Sequence, residues 1–89
     1  MTLRLLRLPD VCAKFGLRTT TIYDRIKKGT LPPSIAITTS RRAWLEHELD
    51  AVVGALISGL SDEEIRALVR DLVAQRRAAV SALPHRKRA

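Results

Sequence analysis

Aromatic residues and cysteine are nearly missing from this chain of 89 residues, which has one Phe, one Tyr, one Trp and one Cys. A lone thiol, Cys12, closes no intrachain disulfide, so oxidised secreted scaffolds are excluded and the cytosol is the default compartment. Cys12, His47 and His85 are the only soft or imidazole ligands and stand at none of the usual zinc spacings, so no metal is expected. Trp44 lacks the aromatic companions of a base-stacking platform and is expected in the core. Long apolar runs are missing too. Residues 51–60 form the longest, about half of what a bilayer crossing needs. The first eight residues carry Arg4 and Arg7, too charged for the apolar stretch of a signal peptide. A soluble chain is expected. There is room for one small domain, and no nucleophile, carboxylate pair or metal set is assembled, so neither catalysis nor a cofactor is expected.

Positive charge is what the sequence does have. Sixteen Lys and Arg stand against nine Asp and Glu, a formal net charge of +7. The distribution is uneven: residues 1–45 hold nine cations and two acids, residues 46–75 two cations and seven acids, and residues 76–89 five cations and no acid. Such a basic front half suits a polyanion, either nucleic acid or an anionic membrane surface. A membrane-binding helix would gather its cations on one amphipathic segment opposite bulky apolar residues. Here they fall on short elements and loops, which favours double-stranded DNA and speaks against a membrane.

Hydrophobic spacing predicts the elements. Residues 8–15 form a two-turn helix with Pro9 and Asp10 in its first turn, an apolar face of Leu8, Val11, Cys12 and Phe15, and Gly16 as its left-handed end. Asp10 and Lys14 point away from that face. Residues 19–28 form a second helix that buries Ile22 and Ile26 and ends at Gly29. Two short helices joined by a tight Gly-containing turn, the second presenting hydroxyls and cations, make a helix-turn-helix; the plain alternative is an αα-hairpin. Pro32 and Pro33 break the chain, residues 34–38 alternate as a strand, residues 38–41 turn, and residues 42–45 return, giving a small β-hairpin with Arg41 and Arg42 at its tip. A helix over residues 46–58 carries Leu49, Val52, Val53 and Leu56 on one stripe and ends near Gly59. Ser61 and Glu64 form a capping box that starts a last helix, with Ile65, Leu68, Val69, Leu72, Val73, Ala79 and Val80 on its stripe and Pro84 beyond it.

The segments Leu8-Pro9-Asp10-Val11, Gly16-Leu17, Thr21-Ile22-Tyr23, Ile26-Lys27-Lys28-Gly29, Pro32-Pro33 and Trp44-Leu45-Glu46, in that order, resemble the AlpA-type phage regulators and excisionases. These are small winged-helix proteins related to the DNA-binding domain of the MerR superfamily, and the resemblance covers residues 6–56. It implies a mainly α, winged helix-turn-helix fold with a β-hairpin wing, a second helix in the major groove and a wing on the backbone or minor groove. It also implies work on phage or mobile-element DNA in the bacterial cytoplasm, at the nucleoid, as a transcriptional regulator or as a recombination directionality factor that assists an integrase. Three departures stand out. Arg18 replaces a common capping Ser, so that Thr19 is expected to cap with a one-residue shift; Asp24-Arg25 replaces a basic-then-apolar pair; and the wing turn lacks its frequent Gly.

The DNA-contacting set expected on these grounds is Arg18, Thr19, Thr20, Thr21, Tyr23, Arg25, Lys27, Lys28, Arg41 and Arg42. The threonines sit at a helix amino end, where hydroxyls and backbone amides suit a phosphate, with plain capping as the bland role. Tyr23 either donates to a phosphate or packs beside the wing. Arg25 is the expected base reader because its planar fork matches guanine, Lys27 and Lys28 are expected on phosphates, and one of Arg41 and Arg42 has the alternative of pairing with Glu46 or Glu48. Cys12 is expected as a small helix-crossing residue and His47 at the surface. The organisation expected is a winged helix-turn-helix over residues 1–58, an amphipathic helix over 59–83 and a basic disordered tail over 84–89. That last helix either folds back or mediates self-association on DNA. A protein-interaction adaptor working through it is the alternative function.

Overall fold

The computed structural model describes residues 3–82, with only the helical backbone given for residues 79–82. The expected tail over 84–89 and the side chains of Ala79 and Val80 lie outside the described residues. The order is β1 (Leu5–Leu6), α1 (Leu8–Phe15), α2 (Thr19–Lys27), β2 (Ile35–Ala36), β3 (Arg42–Leu45), α3 (Glu46–Ile57) and α4 (Asp62–Ala82). This is a small winged helix-turn-helix with an added C-terminal helix.

α1 begins with a proline in its first turn and stops at Gly16, whose φ of 66° and ψ of 33° are left-handed and would cost a side chain about 1–2 kcal/mol. The amides of Gly16 and Leu17 both donate to the Cys12 carbonyl, which turns the chain at once into α2. Arg18 holds the extended residue before α2 and makes no side-chain cap. Thr19 therefore does not take over the cap as expected: it is already helical, and its Oγ1 lies 3.7 Å from Cys12 Sγ. The cysteine sits at the helix junction, as its size suggested.

The sheet order is β1-β3-β2, antiparallel throughout. β2 and β3 make the wing, in register Ile35 to Ala43 and Ala36 to Arg42. The wing's first strand is shorter than the alternation over 34–38 suggested, because from Ile37 the chain bends to donate twice to the Arg41 carbonyl, leaving Ile37 exposed. β1 was not anticipated. It pairs Leu5 with Leu45 and Leu6 with Trp44, a contact across about forty residues that a two-residue strand does not advertise.

Two apolar clusters make the core. The first joins Leu6, Val11, Ile22, Leu31, Trp44 and Leu49. The second joins Val52 and Ala55 of α3 to Ile65, Val69 and Leu72 of α4, and Phe15 packs against both. α4 opens with the expected capping box: the Ser61 amide donates to Glu64 Oε1 at 2.8 Å and the Glu64 amide to Ser61 Oγ at 3.2 Å. The described part of its stripe, Ile65, Val69 and Leu72 with Leu68 and Val73 beside them, packs on α3, so this part of the last helix folds back. The buried side of α3 is rotated from the expected one: Glu48 and Ala55 face inward with Leu49 and Val52, while Leu56 is 41% exposed. Val52 and Ala55 pack on α4, and the buried Glu48 carboxylate is held there by an ion pair. Glu48, 1% exposed, receives Arg76 of α4 in a bidentate contact of 2.7 and 2.8 Å. Lys14 also departs from expectation, reaching Asp50 at 2.6 Å to tie α1 to α3. His47 is half-buried rather than at the surface, its Nδ1 enclosed without a hydrogen-bond partner.

Candidate nucleic-acid interface

The helical period that turns Ile22 and Ile26 inward puts Thr20, Tyr23, Asp24 and Lys27 on the outer face of α2, and all four are exposed. Arg18 and Thr19 are exposed at its amino end, where none of the threonines caps, and Thr21 is half-buried. Arg25, the expected base reader, stands beside the core face. It is half-buried, and its Nε is enclosed without an acceptor. Lys28 pairs with Asp24 at 3.1 Å, one helical turn back. Among the expected α2 residues, Thr20, Tyr23 and Lys27 therefore share the outer face, while Arg25 is half-buried beside the core and Lys28 is paired with Asp24.

In the wing, Arg41 is exposed just past the turn, which is braced by the Ser40 and Arg41 amides donating to Thr38 Oγ1. Arg42 donates from Nε to Ser34 Oγ at 2.5 Å and from Nη2 to the Ser34 carbonyl at 3.2 Å, so its guanidinium lies fixed across the base of the hairpin. Neither arginine takes the alternative pairing. Glu46 meets Arg4 at 3.8 Å and Glu48 meets Arg76. Ser34 is a neutral partner, so the charge of Arg42 stays uncompensated.

Between these elements lies an open cleft of about 310 Å³, bordered by Arg7, Leu8 and Pro9 before and at the start of α1, Tyr23 of α2, and Ser40 and Arg42 of the wing. Trp44 also lines it. The Tyr23 ring leans on Trp44 at 6.4 Å between centroids and a tilt of 58°, so the ring packs beside the wing while the residue stays half exposed. Arg7 was not singled out from the sequence, where it figured only as a charge near the start. Its place just before the Pro9-Asp10 helix opening was the available signal.

Of the front-half cations, Arg7, Arg18, Arg25, Lys27, Arg41 and Arg42 have no acidic partner among the described residues. They come from α2, the wing and the residue before α1, whereas α4 exposes acids, Asp62, Glu63 and Asp71, beside cations, Arg70 and Arg77. Among the described residues no group of three His, Cys, Asp or Glu is placed to hold a metal ion, and no helix is long and apolar enough to cross a membrane.

The protein is similar over 56 residues, at 39% identity, to "Uncharacterized protein ORF88" of Enterobacteria phage P4, a stretch that is 63% of this chain and 64% of that relative. The chain therefore spans less than two thirds of the relative's length. No solved structure matches it. The family described as prophage CP4-57 regulatory protein (AlpA) matches residues 4–53, which take in β1, α1, α2, the wing and most of α3. With more than half of its residues inside that match, the chain belongs to the AlpA family of phage regulatory proteins.

Proposed function

We propose that this protein is a sequence-specific, non-catalytic DNA-binding regulator of a phage or integrative element. The observation that carries the reading is the set of cations without acidic partners among the described residues on α2, the wing and the residue before α1, two of which, Arg7 and Arg42, border one cleft with Tyr23. The outer face of α2, with Thr20, Tyr23 and Lys27, lies in the major groove. Arg18 and Thr19 approach a phosphate at its amino end, and Arg7, Arg41 and Arg42 follow the flanking backbone or the minor groove. Phosphate contacts supply affinity, and the α2 side chains supply selectivity. The fold-back of α4 favours this reading over an adaptor, because the described part of the apolar stripe an adaptor would offer packs on α3.

Fluorescence anisotropy on labelled duplexes across a salt series tests it. With about five phosphates neutralised, log K should fall against log salt with a slope of about −4.5. No binding of any duplex at micromolar protein and low salt would overturn the proposal and favour the adaptor. Within the reading, the protein acts as a transcriptional regulator, as a directionality factor beside an integrase, or as both, in the bacterial cytoplasm. A promoter reporter run beside an in-vitro excision assay separates these roles. Self-association on tandem sites belongs to the excision role, and it registers as cooperative binding.

A further inference from the structure

We infer that α4 sets the angle between α2 and the wing, with Arg66 and Arg76 as positioning residues that hold the two ends of the connector over residues 28–33; its bearing on DNA rests on the reading proposed above. At one end, Arg66 Nε donates to the Lys28 carbonyl at 2.9 Å. That carbonyl belongs to the residue ending α2, where backbone acceptors lack helical donors and a cation is favoured by the helix dipole. At the other end, Arg76 Nη2 donates to the Pro33 carbonyl at 2.8 Å, two residues before β2 begins. Arg76 is itself immobilised by the bidentate contact with buried Glu48. Ten residues separate the two arginines, about 15 Å along a helix, so one rigid rod grips both ends of the connector.

The connector between them is already constrained. The Thr30 amide and hydroxyl both donate to the Arg25 carbonyl, and Thr30, Leu31 and Pro32 are buried. Gly29 reverses the chain at a φ of 82°, and a Cβ there would meet the Arg66 stem at 3.7 Å, so that stem lies against the turn. β2 has only two residues, too few to orient the wing alone. Both arginines lie beyond residues 4–53, the part matched by the family.

The test compares Arg66→Met, which keeps an apolar stem and removes the donor, with Arg70→Met, which deletes the same charge one turn along at an exposed residue. Amide hydrogen exchange of the free protein should show Gly29 and Thr30 opening about fivefold faster in Arg66→Met, the factor of a typical hydrogen bond. The α3 amides, and every amide in Arg70→Met, should stay as in the parent. Unchanged exchange at Gly29 and Thr30, or an acceleration shared equally with α3, overturns the inference. On a duplex taken from the DNA flanking its own gene, Arg66→Met should bind at least about threefold more weakly at an unchanged salt slope. A slope smaller by about one would make Arg66 a phosphate contact and also overturn the positioning role. Failure of the parent to bind any duplex would sink the DNA reading, while the exchange result would still decide the role of α4.

Discussion

Arg76→Ala removes the cation from a carboxylate that has no other partner among the described residues and is 1% exposed. Stranding one member of a buried pair costs about 3–5 kcal/mol. The Arg76 side chain retains 22% exposure, so water reaches one side of the pair and the lower end, about 3 kcal/mol, applies. Against a total stability of about 4–13 kcal/mol for a chain this long, that is a large fraction. Urea unfolding followed by fluorescence of Trp44, the single tryptophan and 2% exposed, reads the change directly. With a urea dependence of about 1–3 kcal/mol per molar, the midpoint should drop by about 1–3 M. The double variant Glu48→Met with Arg76→Met replaces both charges by apolar bulk and should return to within about 1 kcal/mol of the parent. The lost bond to the Pro33 carbonyl is the main remaining deficit. A loss below about 1 kcal/mol for Arg76→Ala, or a double variant as unstable as the single one, would refute the argument that the buried charge, rather than packing, sets the cost.

Lys27→Ala should weaken binding to all duplexes alike and reduce the salt slope by about one, whereas Arg25→Ala should leave base discrimination largely intact because Arg25 stands beside the core; competition binding on a site library measures both. Tyr23→Phe should keep the packing on Trp44, and therefore the melting temperature, while lowering duplex affinity severalfold through loss of the phenolic donor. Gly16→Ala should destabilise by about 1–2 kcal/mol from the left-handed backbone alone, since no neighbouring atom crowds a Cβ there; a thermal melt shows it. Ser61→Ala should cost about 1 kcal/mol by removing half of the capping box, with a matching loss of helicity in α4 by circular dichroism.

The local signals were the legible ones. Gly16 and Gly29 mark the ends of α1 and α2, the apolar residues of α1 mark its face, and the Ser61-Glu64 pair marks the start of α4, because each acts through neighbours a few residues away. Long-range pairing was not legible. β1 exists because Leu5 and Leu6 meet Leu45 and Trp44, and the buried side of α3 is the one that meets α4, where Val52 and Ala55 pack on Ile65 and Val69 and Glu48 finds Arg76, 28 residues further on. Those same long-range contacts redistribute the charges. From the sequence Arg25 and Lys28 look as free as Lys27, yet the fold half-buries one and pairs another, while Arg7 joins the cleft from an unexpected side.

Phe15, the single phenylalanine, belongs to both apolar clusters at once. A shared ring of this kind is a thermodynamic hinge-pin: loosening α3 from α4 uncovers part of the surface on which the helix-turn-helix is built, so the two halves should melt in one transition. It is also an inheritance constraint. A lineage that exchanged α4 for an unrelated segment would have to supply a new cover for that ring before its descendants regained a firm grip on the helix-turn-helix.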